Sequence, residues 1–449
     1  MAPNPAVVKA IAQLNYRATV GDLASEAGLE LNEARQGLLA VAADAGGHLQ
    51  VAESGDIAYE FPQNFRTLLR NKYWRLRLQD SWQRVWGILF YLVRISFGIL
   101  LIATIVLMVV AIAVIAIAAS SQRSRDGNRS SSNESSGVGI PIFFMPRFIW
   151  FGPDPFWFFY YDYGAARRRR DLSAAQAESS PSADYTSDLN FLEAIFSFLF
   201  GDGNPNPDRE ERRWQAIGSA IRQQGGAIAA EHVAPYVDEV DEDEDFLLPV
   251  LVRFDGRPEV SERGDLVYYF PELQVTAATR SQSGPSNSGG YFEEHRWRFS
   301  QASMAQLSWA GGLGGLYLVL AFVLGDLIQS NPELAAGIRF IAFVDSLLPL
   351  ILIYGIAYLA VPAVRYLWIQ WRNQKIRLGN LKRADRALQL AEPSPELQAK
   401  LDFARQFAAR TVVDRNNLAY TSERDLLEQE NEHSDAIDAE WQRRLDADS

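Results

Sequence analysis

The sequence predicts a mainly α membrane protein that also carries two small α+β domains. Three observations lead there. Apolar runs at 87–119, 307–325 and 338–364 are long enough to span a bilayer. A twelve-residue pattern occurs twice, as VAESGDIAYEFP at 51–62 and VSERGDLVYYFP at 260–271. The charged residues, 43 Lys plus Arg and 55 Asp plus Glu, fall largely between the apolar runs.

The first run holds no charge from Ile95 to Ala119 and extends back to Gly87 with only Arg94 interrupting. A helix over Ile95–Ala119 reaches about 37 Å, more than the roughly 30 Å hydrocarbon layer. A soluble helix of that length would show a polar face. The second run, LSWAGGLGGLYLVLAFVLG at 307–325, contains Gly311 and Gly315 at the spacing that lets helices approach closely. Asp326 and Asn331-Pro332 mark a turn before the third run, 338–364, which encloses Asp345 and Pro349. An Asp near the end of a span sits in the interface; deeper, it would mark an ion or partner site.

Orientation follows from the cations. Arg66, Arg70, Lys72, Arg75, Arg77 and Arg84 precede the first span, and Arg365, Arg372, Lys375, Arg377, Lys382 and Arg383 follow the third, so both ends read as cytoplasmic. Residues 1–30 lack a basic stretch followed by a short apolar core, which keeps the N-terminus on the side of synthesis. Two cytoplasmic ends require an even number of crossings, hence three or four membrane segments. The candidate for the fourth is 138–163, aromatic but broken by Pro141, Pro146, Pro153 and Pro155. It crosses as a broken helix or lies among the headgroups. Arg167–Arg170 favours a cytoplasmic exit, and Arg123, Arg125 and Arg129 in the polar linker 120–137 oppose it. Residues 66–86, RTLLRNKYWRLRLQDSWQRVW, read as an interfacial helix, with Arg70, Lys72, Trp74, Arg75, Arg77, Trp82 and Trp86 held by lipid headgroups. Residues 191–201 form a second surface or docking helix within the linker 164–208.

The repeated pattern reads as a β-hairpin around Gly55-Asp56 and Gly264-Asp265. Upstream, residues 1–65 show a helix through Val7, Val8, Ile11 and Leu14, a short strand at 18–20, and helices near 21–28 and 31–43. Residues 209–276 show Trp214, Ile217 and Ile221, then Ala227-Ile228, then helices near 229–237 and 244–253. This layout is that of a winged-helix domain, present as an internal repeat. The charges argue against DNA. The third helix of the first copy offers Glu30, Glu33 and only Arg35, and Asp238–Asp245 carries seven acids in eight positions. A linker, 277–306, leads to the second span. The C-terminal part, 365–449, reads as an amphipathic helix at 396–410 followed by an acidic tail awaiting a partner.

Catalytic chemistry has little to build on. With no cysteine and four scattered histidines, disulfides, thiol nucleophiles and clusters held by this chain's own thiolates are excluded, and no cofactor or metal site is expected. No phosphate-binding or catalytic motif occurs in a supporting context. The nearest metal-like loop, Asp202 to Asp208, has Pro207 where a calcium loop needs Gly and Arg213 where it needs Glu; it reads as a linker with Asp208 capping the next helix. His232 beside Glu231 reads as a surface pair.

The paired hairpins, with the stretch YTSERDLLE at 420–428, resemble an uncharacterised membrane-protein family of cyanobacteria and chloroplasts, some of whose members are labelled "iron-sulfur cluster biosynthesis family protein". The resemblance implies a thylakoid or plasma membrane, and at most an accessory part in cluster assembly. The expected function is a non-enzymatic scaffold or assembly factor that docks a protein partner. The rivals are a membrane-tethered regulator binding DNA through the first domain, and a transporter or channel component relying on Asp345 and Asp326.

Overall fold

The computed structural model describes residues 3–72, 74–126, 189–241, 243–277, 290–414, 418–425, 427–429 and 434. Two compact units divide the chain. One comprises Met1–Arg84, Asn206–Arg296 and Asn373–Ser449; the other comprises Val85–Pro205 and Trp297–Arg372.

The first unit begins with α1 (Pro5–Gln13), capped by the Asn4 side chain, which accepts from Ala6 N–H at 2.9 Å. Val7, Ala10, Ile11 and Leu14 are buried at helical spacing. The chain reverses through Asn15 and Tyr16, both left-handed (φ 55° and 65°), into β1 (Arg17–Thr19). Helices α2 (Val20–Ala27) and α3 (Leu31–Ala45) follow, then strands β2 (His48–Ala52) and β3 (Ile57–Glu60). The hairpin loop has three residues, Glu53-Ser54-Gly55, rather than a Gly-Asp pair. Gly55 N–H donates to Ala52 O, Gly55 takes φ 86°, and Asp56 O already accepts from Ala52 N–H on the returning strand. A short helix, α4 (Phe65–Lys72), closes this part.

The second stretch of this unit runs α7 (Arg209–Gln223), β4 (Ala227–Ile228), α8 (Leu248–Phe254), β5 (Arg257–Val260), β6 (Leu266–Tyr269), α9 (Pro271–Gln274) and β7 (Val275–Thr276). Gly225 and Gly226 take φ 70° and 73° between α7 and β4, and Phe270 N–H donates to Gly226 O as Phe61 N–H donates to Tyr16 O. Its loop repeats the first one: Gly264 N–H to Ser261 O, Ser261 N–H to Asp265 O, φ 87° at Gly264. The predicted helix near 229–237 is two 3₁₀ turns, and the one near 244–253 is a 3₁₀ turn at 245–247 followed by α8. Pro235 and a left-handed Glu244 (φ 58°) interrupt the turns that would have joined them.

The C-terminal part supplies α13 (Pro395–Arg405), β8 (Thr411–Val412) and β9 (Leu418–Thr421). No strand is predicted here from the sequence, but β9 joins the edge of β2, giving the sheet order β1-β3-β2-β9, while β4-β6-β5 has no fourth strand among the described residues. Leu49 explains the difference. Its N–H donates to Ser422 Oγ (2.8 Å) and its O accepts from Ser422 N–H (2.9 Å), and the aligned position in the other hairpin is Pro258, which has no N–H.

The second unit holds most of the apolar helices: α5 (Trp74–Asp126), α6 (Phe191–Phe200), α10 (Met304–Ser330), α11 (Pro332–Gly337) and α12 (Arg339–Ala391). Three of them are long and apolar enough to cross a membrane. Of the expected interfacial helix 66–86, residues 66–72 are helical in α4, and from Trp74 the basic-aromatic stretch is continuous with the span, since no proline or cap interrupts it. The aromatic segment 138–163 lies outside the described residues. Leu101, Met108, Ala111 and Ile115 of α5 share one core with Ile195 and Leu199 of α6, Tyr317 and Leu324 of α10, and Val344, Ile351 and Tyr358 of α12. The other faces, with Val106, Val110, Phe322 and Ile353, are exposed and apolar, as a lipid-facing surface must be.

Helices α10 and α12 interlock through two notches. A Cβ at Gly314 would lie 2.5 Å from the Tyr358 ring, and one at Gly355 2.8 Å from Tyr317. Tyr358 OH donates to Ala310 O at 3.1 Å. The predicted pair Gly311 and Gly315 is not the contact: Gly315 has nothing within 4 Å of its Cβ position, and Gly311 only Phe198 at 3.9 Å. The helix presents Gly314, Tyr317 and Ala321 to its neighbour, so both predicted glycines face away. Asp345 and Asp326 are exposed, Asp345 near the start of α12. Gly314→Ala is expected to lower the melting midpoint of the solubilised chain at a cost of about 1–3 kcal/mol, while Gly315→Ala leaves it unchanged. Equal effects would remove the notch.

Candidate functional site

The two α+β stretches share one buried core, from Val7 to Leu69 on one side and from Ile217 to Leu273 on the other. Helices α2 and α7 cross with little between them, Gly218 facing the Cα of Ser25, and α9 packs as closely on α2, where a Cβ on Gly21 would strike Glu272 O at 2.0 Å. At the centre of this seam lies Asp22, 1% exposed. It belongs to the capping box of α2, receiving Thr19 N–H at 3.0 Å while Thr19 Oγ1 caps Asp22 N–H. From the other stretch it accepts Thr276 Oγ1 (2.9 Å) and Ala277 N–H (2.8 Å), and it pairs with the Arg222 guanidinium of α7. Arg222 also donates to Ser25 Oγ at 3.0 Å. Beside the pair, burial pushes the Glu26 carboxyl above its ordinary value despite Arg222 and Lys9 nearby. Arg253 donates to Gly28 O (2.9 Å) and stacks on Trp214 at 4.2 Å.

A second cluster neutralises part of the acidic run. Arg383, 1% exposed at its side chain, bonds Asp238 (2.5 Å), Glu294 Oε1 (3.0 Å) and Asn380 Oδ1 (2.7 Å). Arg209 reaches Asp238 at 2.7 Å and Glu294 at 3.1 Å. Arg386 donates to Ala234 O and Val237 O. Lys400 of α13 bonds Glu244 (2.8 Å) and Glu231 (3.0 Å); burial works against its charge, but these carboxylates outweigh it and hold the ammonium above its ordinary value. Of the run, Glu239, Asp241, Asp243 and Asp245 are exposed to solvent.

The sequence-predicted residues are placed as follows. Gly55 and Gly264 supply the left-handed loop residues; Asp56 and Asp265 stand on the returning strands, accepting from Ser54 Oγ (2.7 Å) and Ser261 Oγ (3.1 Å). Trp82 and Trp86 are exposed, at 65% and 56%, while the side chains of Arg70, Lys72, Trp74, Arg75 and Arg77 lie outside the described residues. Asp208 precedes α7, but its carboxylate takes Arg212 Nε rather than a backbone N–H. His232 is no surface pair. Burial lowers its pKa, its Nδ1 accepts Ala229 N–H (3.2 Å), and Glu231 turns to Lys400. Asp202 is taken by Arg94, Ser197 and Gln301 N–H, and among the described residues no group of three His, Cys, Asp or Glu could hold a metal. The sequence reading missed Asp22, whose only local signal was Thr19-x-x-Asp22, and it credited Arg383 to membrane orientation.

These features define a class: a chain with three membrane-length helices and an aqueous unit whose two α+β stretches share one core. A chloroplastic protein of Arabidopsis thaliana, described as "Uncharacterized protein At5g03900, chloroplastic", is 35% identical over 450 residues, covering 97% of this chain and 81% of the relative. The chain belongs to the same family. No family model matches it, and no solved structure does.

Asp22→Ala takes the carboxylate from the half-buried Arg222 and leaves Thr276 Oγ1 and Ala277 N–H without their acceptor, and is expected to cost about 3–5 kcal/mol of unfolding free energy. The exposed Glu239→Ala is expected to cost under about 0.5 kcal/mol. Urea denaturation of the solubilised chain followed by circular dichroism measures both, and equal midpoints would show the seam to be unimportant.

Proposed function

We propose that this chain is an integral membrane scaffold or assembly factor, docking protein partners through two winged-helix-like domains that form an internal repeat. The repeat is supported by matched junctions: Asn15-Tyr16 and Gly225-Gly226 are left-handed, and Tyr16 N–H bonds Ile11 O as Gly226 N–H bonds Ile221 O. The single observation that carries docking is the surface of the helix that would enter a DNA groove. In the second domain α8 turns Leu248 and Val252 outward, at 56% and 75% exposure, one turn apart on one face. In the first, Arg35 of α3 is spent on Glu272. Neither presents the free cations a phosphate backbone requires, and an exposed apolar face rimmed by carboxylates suits a protein. A part in iron–sulfur assembly would have to be an accessory one, because the chain has no thiolate.

The shared core also bears on topology. Two stretches packed into one core occupy one aqueous compartment, yet α5 crosses between them. Helix α6, at ten residues and about 15 Å, is too short to return the chain. On this reading an even number of crossings separates the two stretches. The cations flanking the spans put both termini on the cytoplasmic side, or the equivalent face of the thylakoid, in keeping with the chloroplastic relative.

The absence of native cysteine makes labelling free of background. Glu53→Cys and Glu262→Cys should react with an impermeant maleimide from the same side of sealed vesicles, and Glu333→Cys from the other. Labelling of the first two from opposite sides would overturn the topology. For docking, Leu248→Glu with Val252→Glu should abolish the set of proteins crosslinked to the full chain in native membranes, with the melting midpoint unchanged. An unaltered set would sink the docking surface, and a DNA shift by the full chain would favour the rival regulator.

A further inference from the structure

Where α12 leaves its apolar run, one cation is held by aromatic rings and by no carboxylate. The run ends at Val364. At about 1.5 Å per residue, Trp368 lies about 6 Å and Arg372 about 12 Å further along. The headgroup layer on each side of a bilayer is roughly 5–8 Å deep. Side chains on a helix lean toward its N-terminus, so Arg372 leans back toward the span. Its guanidinium lies 5.8 Å from the Trp368 ring and 5.9 Å from Trp297, and these two rings meet edge to face at 5.2 Å.

The neighbouring cation is already engaged. Arg365 donates to the carbonyls of Ser197 (3.2 Å) and Phe198 (2.9 Å) at the end of α6, where a cation complements the helix dipole, and it stacks on Phe299 at 4.4 Å. For Arg372, among the described residues, no carboxylate lies within ion-pair distance. Between Asp345 and Asp385 the helix carries no acid at all. The two indoles flank the guanidinium without neutralising it, which leaves its N–H fork for an external anion at headgroup depth.

We infer that Trp297, Trp368 and Arg372 form a binding site for the phosphate of an anionic lipid headgroup. The indoles anchor at the glycerol level, as interfacial tryptophans do, and Arg372 takes the phosphate oxygens.

The test uses the full chain reconstituted in equimolar phosphatidylglycerol and phosphatidylcholine, with retained lipids counted by native mass spectrometry. The wild-type chain should retain phosphatidylglycerol preferentially. Arg372→Gln should reduce that preference about fivefold, the equivalent of about 1 kcal/mol for one cation at an anionic surface. Trp368→Leu, which frees the guanidinium, should reduce it in the same direction, and both variants should keep the wild-type melting midpoint. An unchanged preference in Arg372→Gln, or no preference in the wild type, would overturn the site. Glycerol 3-phosphate added to the detergent-solubilised chain supplies the other arm. If it occupies the site as well as the lipid does, the ligand is a soluble phosphate and the lipid assignment fails.

Discussion

Asp22 gathers donors from parts of the chain that are far apart in sequence: Thr19 in its own helix cap, Thr276 and Ala277 in a strand, and Arg222 on a helix beyond the first span. A carboxylate buried to this degree is tolerated only when its lone pairs are filled and its charge is matched. Each donor is therefore obligatory, and the two α+β stretches cannot separate without exposing an unpaired Arg222 or stranding Asp22. The constraint reaches further than stability. A membrane-length helix lies between the partners in sequence, so the pairing also joins stretches on either side of a span.

The acidic run shows how misleading local charge can be. Read along the chain, seven carboxylates in eight positions suggest a free surface. In space, Arg383, Arg209 and Lys400 spend part of that charge on holding the second stretch to α12 and α13. A nearly fully buried Arg383 with three oxygen partners orders this region more than any solvent-exposed pair could. The remaining carboxylates stay exposed in the residues that lead into α8, whose Leu248 and Val252 are also exposed.

The features legible in sequence were those set by local rules. Three apolar helices, the helices of the first stretch and both hairpins follow from hydrophobic period and loop chemistry, and the structure has helices and strands there, although the third apolar helix runs on to Ala391. What was not legible depends on which residues meet at long range. Gly311 and Gly315 have the spacing of a packing motif, but the rotation of α10 is set by Tyr317 and Tyr358, so Gly314 makes the contact. The C-terminal strand gave no sign of its acceptor, because it pairs with β2 from the far end of the sequence. Asp22 looked like an ordinary helix cap, and only the fold turns it into a junction.

The place of β9 has a consequence for how the protein is made. The sheet of the first stretch is emerging from the ribosome hundreds of residues before its fourth strand is synthesised. Until then the edge of β2 stands open, with backbone donors that any passing strand could take. Chains that stall or are cut before Leu418 would keep that sticky edge permanently. Synthesis through Leu418–Thr421 is thus a finishing step for this sheet, because β9 seals the open edge of β2.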